Sequence, residues 1–111
     1  MKKLKTWAER SEFRYTGCIK EGTTIFFGKN TSQKINSDQY SKLLKHFQGR
    51  TVNIGTSRTD APRDSVGNWL MTNVTKTAIA SYIGPILTTE GYAEKIRGPE
   101  IIFKYLSQNE L

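Results

Sequence analysis

Apolar positions along the chain change their period several times, and each change marks a predicted element. The clearest begins at Asn36-Ser37-Asp38-Gln39. Asn36 can accept from the orphan amides of a first helical turn, and Gln39 three residues on completes a capping box. Tyr40, Leu43, Leu44 and Phe47 follow at i, i+3, i+4 and i+7, an apolar stripe along one helix face, and Gly49 is placed to end the helix. Upstream, residues 13–20 and 23–28 are rich in aromatic and β-branched side chains, which suit pleated strands. Glu21-Gly22 between them predicts a two-residue hairpin connection, and Gln33-Lys34-Ile35 a short third strand. Residues 1–12 read as a basic N-terminal arm, frayed or briefly helical, whose Trp7 covers an edge of the core.

Residues 51–56 predict a strand, with Val52 and Ile54 on one side of the pleat. Residues 57–64 predict a loop, because Pro62 lacks an amide proton and arginine alternates with aspartate. Asp64 or Ser65 can cap a helix over 65–73, in which Val66, Trp69, Leu70 and Asn73 share a face. Val74-Thr75-Lys76 then makes a tight connection into a last helix. Its Ile79, Tyr82, Ile83, Ile86 and Glu90 fall at i, i+3, i+4, i+7 and i+11, and Gly91 stops it by taking the left-handed conformation. Pro85 removes one helical hydrogen bond, so Gly84-Pro85 leaves open whether 77–90 is one helix or two. After Gly91 the period becomes two: residues 92–96 and 101–105 flank Arg97-Gly98-Pro99-Glu100, a hairpin turn.

With 111 residues, 36% hydrophobic and 24% charged, the chain is expected to fold as one domain, 1–111. No apolar run approaches the roughly 18 residues that span a bilayer, and the N-terminal lysines lack the apolar stretch of a signal peptide, so an intracellular protein without a membrane partner is expected. Cys18 and His46 are each the only one of their kind. Without a cysteine or histidine cluster, a Walker-type loop or a Gly-x-Ser-x-Gly elbow, no catalytic residues, metal or cofactor are expected, and the chain does not read as an enzyme. The net charge of +7 favours a polyanionic partner. Residues 1–60 hold twelve Lys/Arg against five Asp/Glu, whereas 61–111 hold five of each, so the excess lies in the first half.

The order from residue 36 onward is helix, strand, helix, short turn, helix and two strands. It resembles winged helix-turn-helix domains at the level of the superfamily. The most characteristic piece is Leu87-Thr88-Thr89-Glu90-Gly91-Tyr92, where helix runs straight into hairpin. The resemblance implies an α+β fold: a three-helix winged-helix-like core over 36–106 and a small antiparallel sheet joining 51–56 to the wing, to which the N-terminal β-hairpin over 13–35 is an addition. It implies duplex DNA as partner, with the second helix of the pair in the major groove. By position Thr75, Lys76, Thr77 and Ser81 would meet DNA first, with Lys95, Arg97 and Lys104 on or near the wing. Arg58 and Arg63, in the loop Ser57-Arg58-Thr59-Asp60 and beyond, add anion-binding candidates, although alternating Arg and Asp tend to neutralise each other.

The polar face of the last helix, Thr77, Ala80, Ser81, Gly84 and Thr88, is small and nearly uncharged. It suits close approach to DNA with modest base discrimination. It equally suits packing against another helix or subunit, in a homodimer or with a protein partner, and a different face turned outward is the remaining reading. Trp7, Phe13, Tyr15, Phe26 and Phe27 interleave with the basic residues of the first half. Burial in a sheet core is their expected fate, ahead of stacking on single-stranded bases.

Overall fold

The computed structural model describes residues 1–106, an α+β arrangement of three helices and two antiparallel sheets. Lys2–Lys5 (β1), Glu12–Cys18 (β2), Gly22–Phe27 (β3) and Thr31–Asn36 (β4) form the first sheet in chain order. The predicted arm is therefore a strand. Lys2 to Lys5 pair with Tyr15 to Glu12, and only Leu4 of the four is turned partly inward. Lysines on an edge strand discourage pairing with further chains, and they also hide the strand from a hydrophobic pattern. The predicted hairpin is likewise a four-stranded meander. Its β2–β3 turn uses Ile19-Lys20-Glu21, with Gly22 at φ 103° already paired to Cys18. Glu21-Gly22 is not the turn.

Ser37–Phe47 (α1) follows directly. The Asn36 side chain accepts from the Gln39 amide at 2.8 Å and the Gln39 side chain accepts from the Asn36 amide at 2.9 Å, which completes the expected capping box. All four stripe residues, Tyr40, Leu43, Leu44 and Phe47, are buried. Thr51–Asn53 (β5) is shorter than predicted. Gly55 turns left-handed at φ 68°, and the Ile54 carbonyl accepts from Gly67 at 2.8 Å instead of extending a ladder. A Cβ at Gly67 would strike the Gly55 carbonyl oxygen, so this close crossing requires glycine. Val66–Asn73 (α2) starts at Ser65, whose hydroxyl accepts from the Asn68 amide at 3.1 Å.

Ala80–Thr89 (α3) is one helix through Pro85. The bond that Pro85 cannot make would have used the Ser81 carbonyl. That oxygen accepts from the Trp7 amide at 2.9 Å, so the chain after β1 supplies the missing donor. The helix begins later than expected, and the connection from α2 is longer. Thr75, Lys76 and Thr77 precede it, with the Thr75 hydroxyl accepting weakly from the Thr77 amide at 3.4 Å, a local bond that competes with helix formation. At its other end Gly91 is left-handed, and the Tyr92 amide reaches back to the Leu87 carbonyl at 2.9 Å.

Ala93–Arg97 (β6) and Glu100–Phe103 (β7) form the hairpin, and β7 lies between β5 and β6 in an antiparallel sheet, so the strand expected over 51–56 does pair with this hairpin. The core joins both sheets to all three helices: Tyr15, Ile25 and Ile35 from the first sheet, Phe47 from α1, Leu70 from α2, Ile83 and Ile86 from α3, and Ile101 and Phe103 from β7. Phe47 and Phe103 stack with centroids 5.2 Å apart. Among the described residues, no helix is long and apolar enough to cross a membrane.

Candidate nucleic-acid interface

The small face of α3 is covered from within the chain at Ala80, Ser81 and Gly84. Trp7, 6% exposed, lies over Gly84, where a Cβ would sit 2.6 Å from the indole. Its indole nitrogen donates to the Gly98 carbonyl in the hairpin turn at 2.9 Å. Lys95 donates to the Trp7 carbonyl at 2.6 Å and places its ammonium 4.6 Å above the indole ring. One side chain thus ties β1, α3 and the hairpin together. Ala80 is fully buried, and the Thr88 hydroxyl donates to the Pro85 carbonyl at 3.0 Å.

Another face of α3 meets the first sheet through aromatic contacts and a carboxylate. Tyr82 stacks on Phe27 at 4.5 Å and meets Phe13 edge-on at 5.2 Å. Glu90 accepts from the Tyr15 hydroxyl at 2.8 Å and from the Ile19 amide at 2.9 Å, with the Lys2 ammonium 3.9 Å away. Burial first, and then the bond to Glu90, hold the Tyr15 phenol well above its ordinary pKa. Tyr40 is raised too, mainly by burial, against the lowering effect of its bond to Thr23.

These contacts change where the charge lies. Residues 1–36 carry eight Lys/Arg against three Asp/Glu, and the sheet they form packs directly on α3. The sheet that carries this excess thus adjoins the last helix, with Lys2 3.9 Å from Glu90 and Arg14 and Lys34 on its outward face.

Three of the residues singled out from sequence converge. Arg58, Lys76 and Thr77 line one open cleft of about 480 Å³, together with Phe27, Gly28, Thr31, Ala78 and Tyr82. Its floor is the Phe27–Tyr82 stack, and one wall is the β3–β4 turn, where Gly28 and Asn30 take left-handed conformations at φ 60° and 66°. Lys76 and Arg58 have no ion-pair partner among the described residues. The expected Arg–Asp neutralisation within the 57–64 loop does not form: Asp64 is held by Arg50, with His46 at 4.0 Å, and Ser57 accepts from the Thr59 and Asp60 amides.

The other candidates lie elsewhere. Thr75 is in the connection before α3 but does not line the cleft. Ser81 is half-buried on α3 beneath the Trp7 amide. Lys95 is engaged with Trp7, and Arg97 at the end of β6 pairs with Glu100 at 3.5 Å. Lys104 is exposed just beyond β7. Arg63 borders a separate depression of about 220 Å³ with His46, Asp64 and Trp69. Sequence reasoning missed Phe27, Gly28 and Thr31 as cleft residues. Their local signal, Gly28-Lys29-Asn30, marks a turn and nothing about what that turn faces.

Comparison with models of known families, with curated proteins and with solved structures gave no match.

Proposed function

We propose that this chain is a small basic nucleic-acid-binding protein built on a winged-helix-like plan, without catalysis. The plan is supported by the succession α1, β5, α2, α3, β6, β7 and by the sheet order β5-β7-β6. The observation that carries the functional reading is the convergence of Arg58, Lys76 and Thr77 on one cleft beside a strongly basic sheet. Unpaired cations and hydroxyls at an open surface suit phosphate oxygens, and contacts of that kind fix a protein on nucleic acid without reading sequence. Because Trp7 fills the small face of α3, the duplex lies against the helix's leading connection and the β3–β4 turn. The helix itself is not inserted by its Gly84 side.

Fluorescence anisotropy with a labelled random-sequence duplex tests this. Binding is expected at low salt and falls steeply between about 50 and 200 mM salt. Replacing Arg58 and Lys76 together with alanine weakens it and lowers the salt slope by about 2, one per phosphate contact. Absence of binding at the lowest salt would sink the proposal.

A second reading, a protein-interaction module, rests on Ile96, an apolar wing residue that is 48% exposed. Light scattering that shows a stable homodimer or complex, lost on Ile96→Glu and insensitive to Lys76→Ala, favours it.

A further inference from the structure

The first sheet has two faces. Phe13, Tyr15, Thr23, Ile25 and Ile35 point into the core, and alternation turns the intervening residues outward. Outward positions in such a sheet are ordinarily polar, and here they include Arg14, Thr16, Thr24, Ser32 and Lys34. Phe26 is the departure: it is 36% exposed. A lone surface phenylalanine has no meaning by itself. This one belongs to a row. The register pairs Lys3 with Arg14, Arg14 with Phe26 and Phe26 with Ser32, so two cations, an aromatic ring and a hydroxyl lie side by side on successive strands.

The row is not on a flat surface. Lys3, Arg14, Phe26 and Ser32 line an open concavity of about 610 Å³ bounded by the β3–β4 turn. Phe27, Gly28 and Thr31 border both this concavity and the Arg58–Lys76–Thr77 cleft, so the two meet around the turn. Arg14 has no ion-pair partner among the described residues. Lys3 is 3.4 Å from Glu12, with both side chains more than half exposed, an arrangement that a phosphate can replace at small cost.

We propose that the outer face of the first sheet is a stacking platform for an unpaired nucleotide strand. The Phe26 ring takes the face of a base while Arg14 and Lys3 hold the flanking phosphates. The inference rests on the nucleic-acid reading above and names the form of nucleic acid. A duplex keeps its bases stacked on one another and presents phosphates to the cleft, whereas an unpaired strand or tail can continue around the 28–31 turn and lay a base on Phe26. Stacking of this kind tolerates any base, because every base has a π face. The platform therefore distinguishes paired from unpaired strands rather than one sequence from another, and it serves unpaired DNA and RNA alike.

The test compares four labelled probes of equal length by anisotropy: oligo-dT, oligo-rU, an abasic phosphodiester and a random duplex. Wild-type protein is expected to bind both single strands more tightly than the abasic chain. Phe26→Ala weakens oligo-dT binding about tenfold, leaves the duplex and abasic probes unchanged, and Phe26→Trp restores the loss. Equal loss on oligo-rU shows that the platform takes both sugars, and loss on oligo-dT alone overturns that part. Circular dichroism checks that each variant is folded. Equal binding of oligo-dT and the abasic chain by wild type, or wild-type affinity for oligo-dT in Phe26→Ala, overturns the platform while duplex binding still supports the cleft. Absence of binding to every probe overturns both.

Discussion

Helices α1 and α3 are nearly equal in length, with 11 and 10 residues, yet they are stabilised in different ways. In α1 the parts are local: a reciprocal cap, one apolar stripe, and a solvated opposite side carrying Lys42 paired with Asp38. In α3 little is local. It has no side-chain cap, contains a proline, and is held by partners far away in sequence: Trp7 on its Gly84 side, Phe27 on Tyr82, and Tyr15 with Ile19 on Glu90. A helix of the first kind can be read from its own residues. One of the second kind is defined by what packs on it, and here the basic first sheet is what packs on it.

The sharpest way to break this contrast is Trp7→Ala. It removes a buried indole, its bond to Gly98 and the cover over Gly84, and is expected to cost about 4 kcal/mol in a denaturant titration. A loss below about 1 kcal/mol would mean that α3 does not depend on the N-terminal strand. Next is Glu90→Ala, which leaves the buried Tyr15 hydroxyl without its acceptor and is expected to cost about 2 kcal/mol. Asn36→Ala on α1 is the mildest of the three. It removes the cap alone, at about 1 kcal/mol, and leaves the α3 contacts intact.

Alkaline pH probes the packing against both helices spectroscopically. Tyr15 and Tyr40 have pKa values raised in the folded state above the ordinary value of 10.0. The unfolded chain therefore releases these protons first, and the stability they contribute is complete below about pH 10 and declines as pH rises further. Phenolate absorbance from the buried Tyr15 and Tyr40 is expected to appear only together with loss of helical circular dichroism. Phenolate signals from Tyr15 and Tyr40 before any helix is lost would contradict the burial assignment.

The same distinction explains what was legible. Helix α1 and its cap were plain, because Asn36, Gln39 and the Tyr40–Leu43–Leu44–Phe47 stripe interact within one element. The β6–β7 turn was plain as well, since Gly98-Pro99 punctuates two runs of period two. Strand β1 was not, because Lys2, Lys3 and Lys5 leave only Leu4 to signal a face, and its stability comes from pairing with β2. The continuity of α3 was not legible either. The Ser81 carbonyl that Pro85 leaves without its helical donor is satisfied by the Trp7 amide, which is distant in sequence. At the candidate site, Arg58, Lys76 and Thr77 could be named from their chemistry and position. The 28–31 turn that meets them could not, because nothing local records which loop a turn will face.

The most direct measurement is an amide-shift titration of isotope-labelled protein with a short duplex at low salt. Gly28, Thr31, Arg58, Lys76 and Thr77 are expected to move together, while the Trp7 indole proton, bonded to Gly98, and the Gly84 amide stay in place. Large shifts at Trp7 and Gly84 with a silent cleft would instead mean that the sheet lifts away and α3 presents its small face to the duplex, contradicting the interface proposed above.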